Sequence, residues 1–597
     1  MLYIERQPRC RSVVLLVTLS LLLYAGALLL TELRWDMEAL QAAMSRDMLF
    51  GGDYVKTRLY GREIREFPLY SWLVCVCSGF QRLSIVSLRL PALLSLGGLA
   101  LLCGLAGRRL QSRFAGFIAA AVVLLSGVSF RFGAMGVPLT LQALLSCAAW
   151  WSWYALGVEQ RRWNTAWVVS LLLVFLGMLN VGLEAVLWFY LPLVFLPRQL
   201  NAKMRMQMPS HLLSVLGVLV LTAVWVLITP DQPLLPWTRE ANLSTSFRDA
   251  SGYLWHLLTY PWEAMAWLLP WGLLLWAPFC IALRQFENSP VACRYLRVIV
   301  LSLFTFFWLL PQTSPFHLLP LLGPVAILIG VHFEIVLRRY QHILNRGLHG
   351  VTWVVLVANV LVGLFWALVA CGLVAIDMVP PAHAGVFAVL QLVLARILWG
   401  VILRRESHCT FRSCIIWCIF GARLLSLLSV EYYRSWDQSD RKLAGLELAR
   451  CTRPTVGMLD NRSALPDTIR KVYYRPLAAA SSLYLPSFYY LDRPVVFLHP
   501  RGDVSQALPD DEQTVYVLSQ RMPPVTSRTW LPQGPIIDMG QRHRAAVVLG
   551  EHGLRGRPWL AIRRVPEPPR PQAATMQLQL FEGVRQPTPP LDTQADR

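Results

Sequence analysis

Trp35-Asp36-Met37-Glu38-Ala39, Ser45-Arg46-Asp47-Met48-Leu49, Gly52-Asp53-Tyr54, Arg58-Leu59-Tyr60-Gly61 and Ile64-Arg65-Glu66-Phe67-Pro68-Leu69 follow one another between two apolar runs, 12–32 and 84–106. Each run is long enough to cross a hydrocarbon core of about 30 Å. The polar stretch 33–72, at roughly 40 residues, exceeds a simple connection between helices, so it is a loop with a task of its own. Within it Met37, Leu40, Met44 and Met48 recur at helical spacing while Glu38, Arg46 and Asp47 fall between them. That pattern predicts an amphipathic helix lying at the membrane interface.

The rest of the chain repeats the alternation of apolar run and short basic loop. Hydrophobic residues make up 55% of the 597 positions and charged ones only 15%, well below the quarter or so usual in soluble domains. Spans are expected near 12–32, 84–106, 113–128, 139–157, 164–180, 183–197, 211–229, 263–284, 297–311, 316–337, 351–377, 385–403 and 413–430, about thirteen in all. Residues 12–32 are apolar for too long to be an ordinary signal peptide and read as a retained anchor. The formal charge of +20 sits mostly in short loops, the pattern of cytoplasmic connections. Arg108-Arg109, Arg161-Arg162, Arg338-Arg339 and Arg404-Arg405 all fall on the cytoplasmic side of this count. Nucleic-acid binding is therefore not the expected use of that charge. The N-terminus is expected inside and the C-terminal region outside.

The predicted fold class is a polytopic all-α membrane domain over 1–430 with a C-terminal extracytoplasmic α/β or mixed domain over 431–565. Strand-like runs at 494–498, 514–518 and 545–549 support the second domain. The Pro-rich stretch 566–597 reads as a disordered tail. His408 with Cys409, Cys414 and Cys418 has metal-site composition, yet opens an apolar helix, where small buried cysteines are the plainer reading.

Carboxylates and cations sharing one outer loop suit sugar transfer from a polyprenyl phosphate. A carboxylate takes the proton of an acceptor hydroxyl, and cations or a divalent metal offset charge on the departing phosphate. Asp36, Glu38 and Glu66 are the candidate acids and bases, and Lys56, Arg58 and Arg62 the candidate phosphate binders. The plain alternative is a loop whose acids and bases pair with one another and with lipid headgroups. His256 and His317, at helix ends, read as hydrogen-bonded residues first and as catalytic groups second.

The order and spacing of Glu38-Ala39, Arg46-Asp47-Met48-Leu49, Gly52-Asp53-Tyr54, Arg58-Leu59-Tyr60-Gly61 and Pro68-Leu69 resemble the first periplasmic loop of the GT-C superfamily. The likeness is strongest to the protein O-mannosyltransferase and aminoarabinose-lipid A transferase branch. It continues through Arg89-Leu90-Pro91-Ala92, Tyr260-Pro261-Trp262, Leu269-Pro270-Trp271, Leu318-Leu319-Pro320 and the stretch from Tyr489 to Val496. The resemblance implies a multi-pass inner-membrane glycosyltransferase with a polyprenyl-phosphate-linked sugar as donor. Its acceptor would be a lipid, a glycan or a protein. It aligns the family's catalytic aspartate with Met37, next to Asp36. It also sets Phe67, Gly136, Asn180-Val181, Thr313 and His317 where the family carries other residues. Three readings follow: a divergent glycosyltransferase, which is preferred; a catalytically silent relative that binds a lipid-linked glycan or partner; and a transporter or flippase. The last is disfavoured by the scarcity of mid-membrane charges, with Glu184 the main exception.

Overall fold

A computed structural model of the chain describes residues 36–59, 62–63, 66–196, 205–228, 250–310 and 313–403, apart from single positions and 377–380. It also describes scattered positions in 16–33 and 417–425, and strands between 472 and 585. Most of the expected spans 12–32 and 413–430, the loop 230–249 and the 408–414 cysteine cluster lie outside the described residues.

The first loop folds as α1 (Asp36–Gly51), a short hairpin of β1 (Arg58–Leu59) and β2 (Arg62–Glu63), and α2 (Leu69–Cys77). The membrane helices follow as α3 (Ile85–Leu110), α4 (Arg113–Leu125), α5 (Gly127–Phe132), α6 (Pro138–Ser152), α7 (Trp163–Val181) and α8 (Glu184–Val194). Then come α9 (Pro209–Ile228), α10 (Ala250–Trp267), α11 (Pro290–Leu309), α12 (Leu319–Ala370) and α13 (Pro381–Leu403). The rod α12 bends at Tyr340, where φ is −122° and ψ is 31°, so Leu319–Tyr340 and His349–Ala370 are separate spans. Among the described residues seven helices are long and apolar enough to cross a membrane, and α4 and α8 are shorter apolar helices.

The expected span 263–284 is corrected. α10 starts at Ala250, well before the predicted boundary, and ends at Trp267. The chain then runs through tight turns at Trp271–Leu274 and Ala277–Phe279 before a four-residue helix, Ile281–Arg284. Pro270 and Pro278 explain this, since each lacks the N–H that would continue a helix.

Start signals act where expected. The Ser84 side chain caps α3 by accepting from the Ser87 amide at 3.0 Å, and Ser87 Oγ accepts from the Ser84 amide in return. The core is centred on α4, buried on every face from Phe114 to Leu125, and on the first half of α12. Small residues let these helices close on α3: a Cβ added at Gly116 would lie 2.3 Å from the Gly104 carbonyl oxygen. At the end that carries the basic loops, Arg297 and His332 converge on the Glu287 carboxylate, with distances of 2.5 and 3.0 Å.

Strands of the C-terminal region form two sheets. β4 (Val472–Arg475), β5 (Val495–Phe497), β6 (Thr514–Ser519), β7 (Arg528–Asp538) and β10 (Gln577–Arg585) make one, in the order β5-β4-β6-β10-β7. β8 (His543–Leu549) and β9 (Leu560–Pro566) make the other. Its third strand is β3 (Val374–Ile376), from the connection between α12 and α13, paired parallel to β9. β10 corrects the tail reading. It lies within the Pro-rich stretch, where Leu578 and Leu580 alternate with Gln577 and Gln579 between the prolines.

Two outcomes are expected. Gly116→Leu loses folded protein in a thermal-stability assay, overpacking of this kind costing about 1–3 kcal/mol or more. Ala375→Cys with Ala561→Cys, partners across the β3–β9 ladder, should form a disulfide under mild oxidation. Absence of the cross-link, read as an unchanged gel mobility, contradicts the pairing.

Candidate functional site

α1 is where structure and pattern diverge. Glu38 and Arg46, expected on a polar stripe, are 0% and 5% exposed, alongside buried Ala42, Met44 and Met48. The helix is packed into the protein instead of lying on an interface. What permits this is a partner far away in sequence. Arg89, in the first turns of α3, donates from Nε to Glu38 Oε1 at 2.5 Å and from Nη2 to Oε2 at 2.9 Å. The Gly136 amide adds a third hydrogen bond to Oε1 at 3.0 Å. Both ends of the ion pair are thus satisfied in a site where an uncompensated charge would be expensive.

Gly136 is there for a steric reason too. A Cβ at that position would sit 2.7 Å from Leu88 Cγ, so a side chain would push the 133–137 turn off α3. The residue that departs from the family pattern is here the one that brings its backbone N–H to Glu38.

Smaller links fasten the remainder of the loop. Gln41 Nε2 donates to Ser71 Oγ at 2.5 Å, joining α1 to α2, and Tyr70 Oη donates to the Leu88 carbonyl at 2.9 Å, joining α2 to α3. Trp72 Nε1 donates to the Tyr54 carbonyl at 2.6 Å, and Thr57 Oγ1 to the Glu66 carbonyl at 2.8 Å. The last bond ties the segment that carries Lys56 and Arg58 to the backbone of Glu66.

Asp53 shapes the turn that presents the cations. Its Oδ1 accepts from the amides of Val55 and Lys56 at 3.1 and 3.2 Å, and its Oδ2 lies 3.1 Å from Arg58 Nη2. The Lys56 amide, then the Val55 amide and the Arg58 charge, hold the Asp53 carboxyl below its ordinary range despite some burial. Lys56 and Arg58 are half-buried, and Glu66 is partly exposed. The side chains of Asp36 and Arg62 lie outside the described residues. The structure therefore ties the segment 56–58 to the backbone of Glu66 and sets Glu38 in the packing of α1 against α3.

The metal expectation finds little in this donor set. Glu38 is engaged by Arg89, and Asp53 by Arg58 and two amides. Among the described residues no group of three or more His, Cys, Asp or Glu side chains could hold an ion. Asn180, at another position of family divergence, donates to the Pro138 carbonyl at 2.9 Å and so ties α7 to α6. His256 Nε2 is 3.4 Å from Thr313 Oγ1. Arg89 was quoted in sequence only as the opening of a span. The signal that marks it is a charge inside an apolar run, which calls for a buried partner.

Comparison with known proteins bears on the fold. The structure is similar to that of ArnT from Cupriavidus metallidurans bound to undecaprenyl phosphate. The TM-score is 0.59 at 17% identity, over 86% of this chain and 93% of that one. The fold is GT-C. ArnT of the same organism in the apo state gives a TM-score of 0.56 at 16% identity, over 85% and 92% of the two chains. In sequence, the undecaprenyl phosphate-alpha-4-amino-4-deoxy-L-arabinose arabinosyl transferase of Pseudomonas paraeruginosa is 28% identical over 324 residues, 52% of this chain and 57% of its own length. A second such transferase, from Pseudomonas fluorescens, is 26% identical over 310 residues, 49% of this chain and 51% of its own. The chain thus spans a little over half the length of these relatives. No family model matches it.

Two predictions rest on this geometry. Arg89→Ala leaves a buried carboxylate without its cation and should cost about 3–5 kcal/mol in unfolding experiments, whereas Arg89→Met with Glu38→Gln recovers most of that loss. A double variant no more stable than Arg89→Ala contradicts the pairing. With the Asp53 carboxyl held low, its contribution is complete above the ordinary aspartate range and is lost as pH falls through the folded value. Asp53→Asn should lower stability at neutral pH, where that contribution is complete, leave it little changed below the folded value, and so flatten the acid limb of the stability profile measured by denaturant unfolding against pH.

Proposed function

We propose that the protein is a membrane glycosyltransferase that moves a sugar from a polyprenyl-phosphate donor to an extracytoplasmic acceptor. The observation that carries this reading is the anchored first loop. A buried ion pair fixes α1, and the Asp53 turn carries Lys56 and Arg58 on a segment tied to the backbone of Glu66. Rigid presentation of cations at a defined spot is what stabilising a leaving phosphate demands. The motif likeness and the GT-C fold point to the same chemistry.

The reaction is a direct displacement. The acceptor hydroxyl oxygen forms a bond to the anomeric carbon as the bond from that carbon to the phosphate oxygen breaks. The hydroxyl proton passes to a carboxylate, and polyprenyl phosphate leaves. Asp36, at the start of α1, and Glu66 are the candidate bases. Glu38 is a positioning residue in this scheme, because both its oxygens accept from Arg89 and gaining a proton would sacrifice that pair. Arg58, with Lys56 and Arg62, would meet the phosphate. No step is assigned to a metal. The acceptor class stays open among lipid, glycan and protein.

The second reading, a silent relative, is favoured by one observation. Gly136 and Asn180 are used for packing and for tying helices together at positions where the family pattern differs. Incubating the purified full-length protein with polyprenyl-phosphate sugars separates the two. Turnover that falls roughly a hundredfold or more in Asp36→Asn or Glu66→Gln, and in Arg58→Ala, supports the enzyme. Donor binding without turnover in the unmodified protein selects the silent reading.

A further inference from the structure

We propose that Trp225, Trp72, Tyr54 and Phe80 form an aromatic ledge that seats the first loop on the outer leaflet of the membrane. The reading rests on α9 as a membrane-crossing helix, and it adds a lipid-binding surface to the candidate site.

The rings run in series. Trp225, near the end of α9, meets Trp72 of α2 edge-on, with centroids 5.9 Å apart. The Trp72 indole N–H is bonded to the Tyr54 carbonyl. Tyr54 then meets Phe80 edge-on at 5.8 Å. The series starts on the least buried long apolar helix of the described protein, since only 6% of its most apolar window is buried. A helix that apolar and that bare is covered by lipid, and the aromatic residues at its end belong at headgroup depth. The other rings continue from that point onto the loop.

The far end is built to be exposed. Phe80 is 59% exposed, and Val55, beside Tyr54, is 39% exposed. Phe80 also has φ of +58°. A bulky aromatic in the left-handed region is strained, and a ring this exposed gains little from burial in the protein to offset that. Contact with acyl chains would supply the offset, because lipid removes the ring from water. Lys56 lies on the same turn, close enough in sequence to Val55 to face headgroup phosphates while the rings enter the apolar layer below. The ledge is thus occupied by lipid of the outer leaflet at the boundary between headgroup and acyl chain.

The test uses the full-length protein in lipid nanodiscs, with 4-trifluoromethylphenylalanine replacing Phe80, or Leu213 on α9, one at a time. Leu213 is 71% exposed and serves as the lipid-facing reference. Fluorine lines are recorded with a nitroxide lipid labelled near the headgroup, then with a water-soluble gadolinium chelate. The expected result is a greater loss of line height at position 80 with the lipid nitroxide than with the chelate. Greater loss with the chelate at 80, while 213 responds to lipid, overturns the ledge and leaves the membrane reading standing. Greater loss with the chelate at both positions overturns the ledge together with the reading of α9.

Discussion

A carboxylate and a guanidinium, 51 residues apart in sequence, meet in a space from which water is excluded. Glu38 and Arg89 depend on one another: removing either one leaves the other's charge buried without its counter-ion, a large desolvation cost. With both present, and with the Gly136 amide as third partner, α1 is held against α3 and the 133–137 turn. The remaining loop contacts, from Gln41 to Ser71 and from Thr57 to Glu66, then extend from a fixed base. The site's cations are presented by a turn whose far end is bolted to the membrane domain.

That dependence explains the division of labour among the loop's charges. The Glu38 carboxylate is fully engaged in holding the loop in place. Asp53 is engaged by two amides and Arg58, so it shapes the turn. What remains for chemistry in the proposal is the start of α1 with Asp36, the partly exposed Glu66, and the cationic strand. Behind the loop, the buried α4 and the first half of α12 supply rigidity through close glycine contacts.

Much of this was legible in sequence, and the failures have physical causes. The span at 84–106 emerges as Ile85–Leu110, with Ser84 as its cap, because a long apolar run bounded by a cap and by Arg108-Arg109 has few other solutions. The run 263–284 was apolar enough to cross a membrane, but hydropathy does not register that Pro270 and Pro278 remove helix donors. α1 was placed correctly as a helix, while its polar residues were assigned to the outside. A periodic pattern shows which residues share a face, and it is blind to a partner such as Arg89 that turns a polar face inward. β10 was hidden by its surroundings: two alternating leucines among prolines look like tail until β6 and β7 are there to flank them. Within the candidate site, order and spacing name Lys56, Arg58 and Glu66 as candidates. The tie from Thr57 to Glu66 is not legible, since that bond joins a side chain to a backbone carbonyl.

The central claim is that this anchored loop binds the phosphate of a lipid carrier. Titrating the full-length protein in nanodiscs with polyprenyl phosphate, carrying no sugar, tests it without requiring turnover. The account predicts saturable binding that weakens markedly in Arg58→Ala and is unchanged in Arg284→Ala, whose guanidinium bonds the Phe279 carbonyl elsewhere in the fold. Binding that is absent, or that is equally strong in Arg58→Ala and the unmodified protein, would contradict it.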